Sequence, residues 1–286
     1  MELFLDLLRS VVYGVIEGIT EWLPISSTGH MILAEQVLKF SLSAEFMEMF
    51  RVVIQLGAIM AVVVLYFKKL WPFCGDNGRD SGLAKHIRWP VLRLWLKIIV
   101  ACLPAAVLGL LLDDWMDAHF YNSVVVAVML IVYGIAFILI ERRPRVPTTT
   151  KLSRITYKQA IIVGAWQVLS LIPGTSRSGA TIIGGLLCGM SRACASQFTF
   201  FLAIPVMAGA SGLKLVKFLV GGGVFTVAEV GALLVGCIVA FVVYIMAIRF
   251  LMDYVKKHTF TIFGWYRIAL GIVVLGIWAL QTFVLA

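Results

Sequence analysis

Two short polar stretches interrupt a chain that is otherwise apolar enough for lipid, and each breaks a helical pattern in its middle. The first runs Glu17-Gly18-Ile19-Thr20-Glu21-Trp22-Leu23-Pro24-Ile25-Ser26-Ser27-Thr28-Gly29-His30. The second runs Gln167-Val168-Leu169-Ser170-Leu171-Ile172-Pro173-Gly174-Thr175-Ser176-Arg177-Ser178-Gly179. In each, a polar residue precedes a Pro, and a Ser/Thr cluster closed by Gly follows. Carboxylates, hydroxyls and a guanidinium are costly at membrane depth unless they have partners and a task. Their duplication points to one site assembled from two halves of a membrane protein.

Hydrophobic residues make up 61% of the chain and charged residues 14%, against roughly 45–50% and 25% in soluble domains. With runs near the ~20 apolar residues that cross a bilayer, this reads as an all-α, polytopic membrane protein. Candidate spans are 52–67, 91–112, 121–141, 198–218, 227–249 and 262–284. The formal net charge of +9 sits mostly in loops. Lys68, Lys69, Arg79, Lys85, Arg88 and Arg93 form one basic cluster, and Arg142, Arg143, Arg145, Lys151, Arg154 and Lys158 a second. Arg249, Lys256 and Lys257 form a third. Such clusters mark cytoplasmic ends, so no nucleic-acid partner is needed to explain them. The acidic turn Asp113, Asp114 and Asp117 then falls outside, and so does the C-terminus. Lys214 and Lys217 fit that side less well and are expected to snorkel from a helix end. Trp71, Trp89, Trp115, Tyr121 and Tyr157 read as interface anchors. The N-terminus lacks the basic region of a secretory signal peptide. Five scattered cysteines without a CxxC suggest neither a disulfide framework nor a zinc site.

Residues 4–38 and 156–190 do not read as simple spans. Each is helical in pattern but broken by Pro and Ser/Gly, which a lipid-facing span does not tolerate. Each is therefore expected to be a re-entrant helix–loop–helix hairpin lining a protein-enclosed cavity. The charge rule sends the first in from outside and the second from inside. Ser26 and Ser176, Thr28 and Ser178, and Gly29 and Gly179 are all 150 positions apart. This predicts one integral-membrane domain over 1–286 built from inverted-topology repeats, about 1–141 and 151–286. Such repeats place their site near the midplane, where the broken helices meet.

Glu17 and Glu21 are four apart and share a helix face. Two like charges there call for a cation or a shared proton, the chemistry of metal ligands or of a general base. Ser26, Ser27 and Thr28 open a new helix, where hydroxyls and unpaired N–H groups suit an anion. Ser176, Arg177, Ser178 and Thr181 form a Gly-flanked turn around a guanidinium able to grip two phosphate oxygens at once. This is not the GxxxxGK[ST] nucleotide loop. His30, one turn beyond Ser26, is a candidate nucleophile, general acid or hydrogen-bond donor. Gln55 is read as structural.

The combination Glu17-x-x-x-Glu21, Ser26-Ser27-Thr28-Gly29-His30 and Pro173-Gly174-x-Ser176-Arg177-Ser178-x-x-Thr181 resembles the undecaprenyl-diphosphate phosphatases, also called bacitracin-resistance proteins. The resemblance covers essentially the whole chain. It implies hydrolysis of a polyprenyl diphosphate lipid to the monophosphate, recycling the carrier for cell-wall synthesis. It also implies dependence on a divalent cation and a site open to the outer face of the bacterial inner membrane. On that reading Glu17 and Glu21 hold Mg²⁺ or Ca²⁺, and Ser26, Thr28, Ser176, Arg177, Ser178 and Thr181 hold phosphate. Ser27 is the favoured nucleophile, with His30 or a glutamate managing its proton; attack by His30 itself or by water are the alternatives.

Two rival classes are weighed against this. A transporter or flippase also uses inverted repeats with paired broken helices; against it, the carboxylates and His30 sit in one half and Arg177 in the other. An intramembrane serine protease would pair Ser27 with His30; Arg177 and two glutamates suit anion and metal chemistry better than peptide hydrolysis.

Overall fold

The computed structural model describes residues 2–75, 85–143 and 146–283, without the side chains of Asp113, Asp114 and Asp117. Arg79 and Arg145 of the basic clusters also lie outside the described residues. The described chain is all-α. The first hairpin comprises α1 (Glu2–Thr20) and α2 (Ser27–Val37), and α3 (Ala44–Val53) and α4 (Gln55–Leu70) follow. Next come α5 (Trp89–Phe120) and α6 (Ser123–Arg142). The second hairpin is α7 (Tyr157–Val168) and α8 (Arg177–Leu187), followed by α9 (Arg192–Val220), α10 (Val227–Lys257) and α11 (Thr261–Phe283).

Among the described residues, six helical stretches are long and apolar enough to cross a membrane: Ala44–Leu70, Trp89–Leu112, Ser123–Arg142, Arg192–Val220, Val227–Lys257 and Thr261–Phe283. They match the six expected spans in order. The protein is a multi-pass membrane protein. Apolar side chains suffice to hold such segments helical, because in lipid each backbone group is satisfied only within its own helix.

Helix starts follow local chemistry. Asn122 caps α6 by accepting from Val125 N, Ser191 caps α9 by accepting from Cys194 N, and Thr226 with Glu229 forms a capping box on α10. Several boundaries differ from the sequence reading: the α9 span begins at Arg192 rather than 198, and the α10 span runs to Lys257 rather than 249. The first span begins at Ala44 rather than 52, because α3 and α4 stack end to end across Ile54. The residues Asp113, Asp114 and Asp117 are not a turn: α5 continues through them to Phe120, and the chain reverses at Tyr121–Asn122. Nothing in their backbone breaks the helix, and the Asn122 cap sets where the next one starts.

Small residues let the helices cross closely, as expected where lipid offers no hydrophobic contrast. The antiparallel pair α6 and α11 meets at Gly134 and Gly264; a Cβ on either would lie 2.7 Å from the other's carbonyl oxygen. Gly14 and Gly18 of α1 lie on Gly236–Val239 and Val243 of α10, so these two helices run the same way. On the other side α7 lies along α5 in the same sense, with Tyr157 near Lys97 and Gly164 against Ala101. The two hairpins thus dock alike: α1 packs on α10 and α7 on α5, while α2 touches α11 and α8 touches α6. This exchange fits the expected two-repeat organisation. It brings the breaks of both hairpins together in the interior.

Candidate active site

Each break ends in a serine with a left-handed backbone. Ser26 has φ 71° and ψ 105°, and Ser176 has φ 69° and ψ 119°. They are the only non-glycine residues with positive φ among those described. That conformation costs of order 1–3 kcal/mol and persists only where surroundings enforce it. Both serines precede helices of 11 residues. Ser176 Oγ accepts from Gly179 N at 3.2 Å, an ordinary cap. Ser26 Oγ, though buried, neither caps α2 nor has any other partner among the described residues. The first turn of α2 therefore keeps N–H groups that no capping side chain engages, with a helix dipole favouring negative charge.

The two breaks meet at Glu21. Ser27 Oγ donates to Glu21 Oε2 at 2.8 Å, and Arg177 Nη2 donates to Glu21 Oε1 at 3.1 Å. Ser178 Oγ donates to the Glu21 backbone carbonyl at 2.9 Å and lies 3.1 Å from Ser176 Oγ. Thr181 Oγ1 donates to Arg177 O at 2.9 Å and accepts from Thr199 Oγ1 at the same distance. The Arg177 guanidinium lies over the Trp22 ring, 5.2 Å from its centroid. Its Nε is buried with no partner among the described residues. Glu17, 1% exposed, accepts from Tyr244 Oη at 3.2 Å.

This is a dense polar network in an apolar interior. Arg177 compensates Glu21. Glu17 has a tyrosine hydroxyl but, among the described residues, no salt-bridge partner, an expensive state for a buried carboxylate unless a proton or a cation joins it. Among the described residues no group of three His, Cys, Asp or Glu could hold a metal unaided. The donor set fits a hard cation only in part: two carboxylates supply oxygen ligands, and a hard cation needs six or more. The rest would come from water and from substrate phosphate.

Two expected site residues, His30 and Thr28, have no hydrogen bond to Glu21 among those of the described residues. His30 Nδ1 pairs with Ser26 O and Nε2 with Tyr266 Oη, each at 2.7 Å, and the two rings stack. Its ring thus stands between α2 and α11. Thr28 lines an adjoining groove.

The sequence reading passed over Arg267. It is fully buried on α11 and donates to Pro24 O at 3.2 Å, Gly174 O at 2.9 Å and Thr175 O at 2.8 Å. One guanidinium thus bolts together the loops of both hairpins. The signal was present, since Arg267 is the sole charged residue of α11; a lone Arg within a span is a functional candidate by default. Trp22, Thr199, Tyr244 and Tyr266 carried no comparable signal, because aromatic and hydroxyl residues are ordinary in spans.

A family model described as bacitracin resistance protein BacA matches residues 10–273. A protein of Enterococcus faecalis named undecaprenyl-diphosphatase is 59% identical over 96% of this chain and 99% of its own length. Proteins of the same name from Streptococcus thermophilus and Lactococcus lactis subsp. lactis are each 56% identical over 95% of this chain, and over 93% and 96% of their own lengths. With its two motifs assembled around Glu21 and likeness spanning nearly its whole length, the chain belongs to the bacitracin resistance protein BacA family.

Proposed function

We propose that the protein hydrolyses undecaprenyl diphosphate to undecaprenyl phosphate and inorganic phosphate, returning the lipid carrier to cell-wall synthesis. One observation carries the chemistry: Ser27 Oγ and Arg177 Nη2 are held on the two oxygens of a single carboxylate, Glu21. That arrangement unites a hydroxyl nucleophile, its base and an anion clamp across the two hairpins. The transporter reading has no support among the relatives named above.

The residues suggest a sequence of events. Arg177 Nε and Ser26 Oγ, buried without partners among the described residues, and the N–H groups opening α2 receive the terminal phosphoryl oxygens. Arg177 then exchanges part of its hold on Glu21 for phosphate, and Glu21 is free to accept the Ser27 proton. Ser27 Oγ attacks phosphorus, and the bond to the bridging oxygen breaks to release undecaprenyl phosphate. Glu21 passes that proton to the departing phosphate; when water then attacks the phosphoserine, Glu21 takes its proton and returns it to Ser27 Oγ as inorganic phosphate leaves. Catalysis of this kind is mostly positioning and charge stabilisation. Glu17 and Glu21 would hold Mg²⁺ or Ca²⁺, which offsets charge on the leaving phosphate when bound. His30, on Ser26 O, helps fix the strained loop before Ser27.

The two hairpins are read as inverted repeats, supported by the matched serines and the exchanged docking of α1 and α7. The basic clusters support a site facing the outside of the bacterial inner membrane. The deciding measurement is release of phosphate from undecaprenyl diphosphate by detergent-purified protein. No release would remove the enzymatic reading in favour of transport. Proteolysis surviving EDTA would favour the serine-protease rival.

A further inference from the structure

A groove of about 640 Å³ adjoins the cluster, between α3, the later part of α9 and the break of the second hairpin. Thr28 lines it on one side and Ser170 and Pro173 on another, so it reaches the loops of both hairpins. Thr28 directly follows Ser27, and Pro173 stands three residues before Ser176. Two cations line the same groove, Arg51 and Lys214. Neither takes part in the chemistry at Glu21.

Both cations are engaged by carboxylates. Arg51 Nη1 lies 2.9 Å from Glu35 Oε1 and donates to Tyr121 Oη at 3.1 Å. Lys214 Nζ lies 2.7 Å from Glu48 Oε1. Glu48 differs from the other groups: its side chain is 67% exposed, that of Lys214 14%. Arg51 and Lys217 also act electrostatically on it. An exposed carboxylate therefore reaches into a cationic nest next to the catalytic loops. Water screens the exposed Glu48 end of this pair, which weakens its hold on the more buried Lys214. A phosphate dianion brings more charge and more acceptor oxygens than a carboxylate, so it can take the place of Glu48. Released inorganic phosphate needs a polar way out, because the lipid-facing sides of the spans are apolar.

We infer that this groove is the passage by which free inorganic phosphate leaves, and that Arg51 and Lys214 bind it there in place of Glu48. The inference rests on the phosphatase reading. It is tested on the full chain in detergent, with lipid monophosphate measured by chromatography. Potassium phosphate is added at saturating lipid substrate, with potassium chloride at equal ionic strength as control.

Arg51→Gln and Lys214→Gln should each raise the phosphate inhibition constant about tenfold, the worth of one charge-assisted hydrogen bond. Glu48→Gln should lower it severalfold, because the competing carboxylate is gone. Glu48 and Lys214 must therefore shift the constant in opposite directions. A pair that only held α9 to α3 would give shifts of the same sign, and that result overturns the inference. So do constants unchanged within twofold. A KM for the lipid that moves while the phosphate constant stays would assign the groove to the lipid headgroup and also overturn it. Should Lys214→Gln not fold, the sign of the Glu48→Gln shift decides alone. Absence of monophosphate from the wild type would mean that the phosphatase reading has failed. Phosphate protection against thermal unfolding, compared between wild type and Arg51→Gln, then tests the groove by itself.

Discussion

Ser26 and Ser176 stand 150 positions apart and hold almost the same left-handed backbone, φ 71° and 69°. Each is the last residue before a helix whose first residue, Ser27 or Arg177, points a functional group at Glu21. The kink turns the backbone so that the first helical side chain faces inward. Strain thus sits beside the groups proposed to act on phosphate, at corresponding places in both hairpins.

The strain has a measurable consequence. Glycine adopts positive φ without penalty, and Ser26 Oγ has no partner to lose among the described residues. Ser26→Gly should stabilise the protein by about 1 kcal/mol, read as a raised melting temperature in detergent. A lowered melting temperature would mean that Ser26 is not strained.

Removing a member of the Glu21 constellation should stop chemistry. Arg177→Ala, Glu21→Gln and Ser27→Ala are each expected to cut kcat by at least about a hundredfold, the scale of losing one preorganised group. The folded state should persist in all three. Rapid quenching with labelled substrate should trap phosphoserine in wild type and none in Ser27→Ala. A phosphoenzyme formed by Ser27→Ala would reassign the nucleophile.

Arg267 should be structural first and catalytic only through the loops it holds. Arg267→Met leaves the carbonyls of Pro24, Gly174 and Thr175 without their donor. The expected loss is about 3 kcal/mol or more, given ~1–3 kcal/mol per unsatisfied buried group. Arg267→Lys restores the charge but not the fork, so it should fall between wild type and Arg267→Met in melting temperature. Equal stability of all three would detach Arg267 from the loops.

Chelation by EDTA should abolish turnover, and added Mg²⁺ or Ca²⁺ should restore it. Glu17→Gln should raise the cation concentration for half-maximal activity at least about tenfold, since second-shell changes alone cost 10–100-fold in metal affinity and Glu17 is read as a direct ligand. Full activity in EDTA would leave Glu17 needing another explanation, with a proton shared in the buried cluster as the alternative.

The class of protein, the helix–break–helix pattern and the motif residues were legible because uncompensated polar groups in lipid are so costly that residue type alone exposes them. Glu17, Glu21 and Arg177 stand out as polar groups on that ground, Ser27 only through the motif it belongs to, and the 150-residue spacing pairs the two breaks. Residue type also misled at Asp113, Asp114 and Asp117, where acidic side chains suggested a turn and the backbone continues as helix.

Only the tertiary structure decided who meets whom. Ser27 and His30 are three residues apart, which on a helix separates their directions by about 60°. Helical spacing fixes that angle but not what lies beyond it, and the docking of α1, α8 and α11 put Glu21 before one and Tyr266 before the other. Arg267 reaches Pro24 from 243 positions away, and Tyr244 reaches Glu17 from 227. Local periodicity carries no record of such contacts, because they arise from close helix crossings at small residues such as Gly14 and Gly134. Composition and spacing settled what the chain had to bury; packing settled which buried group would answer which.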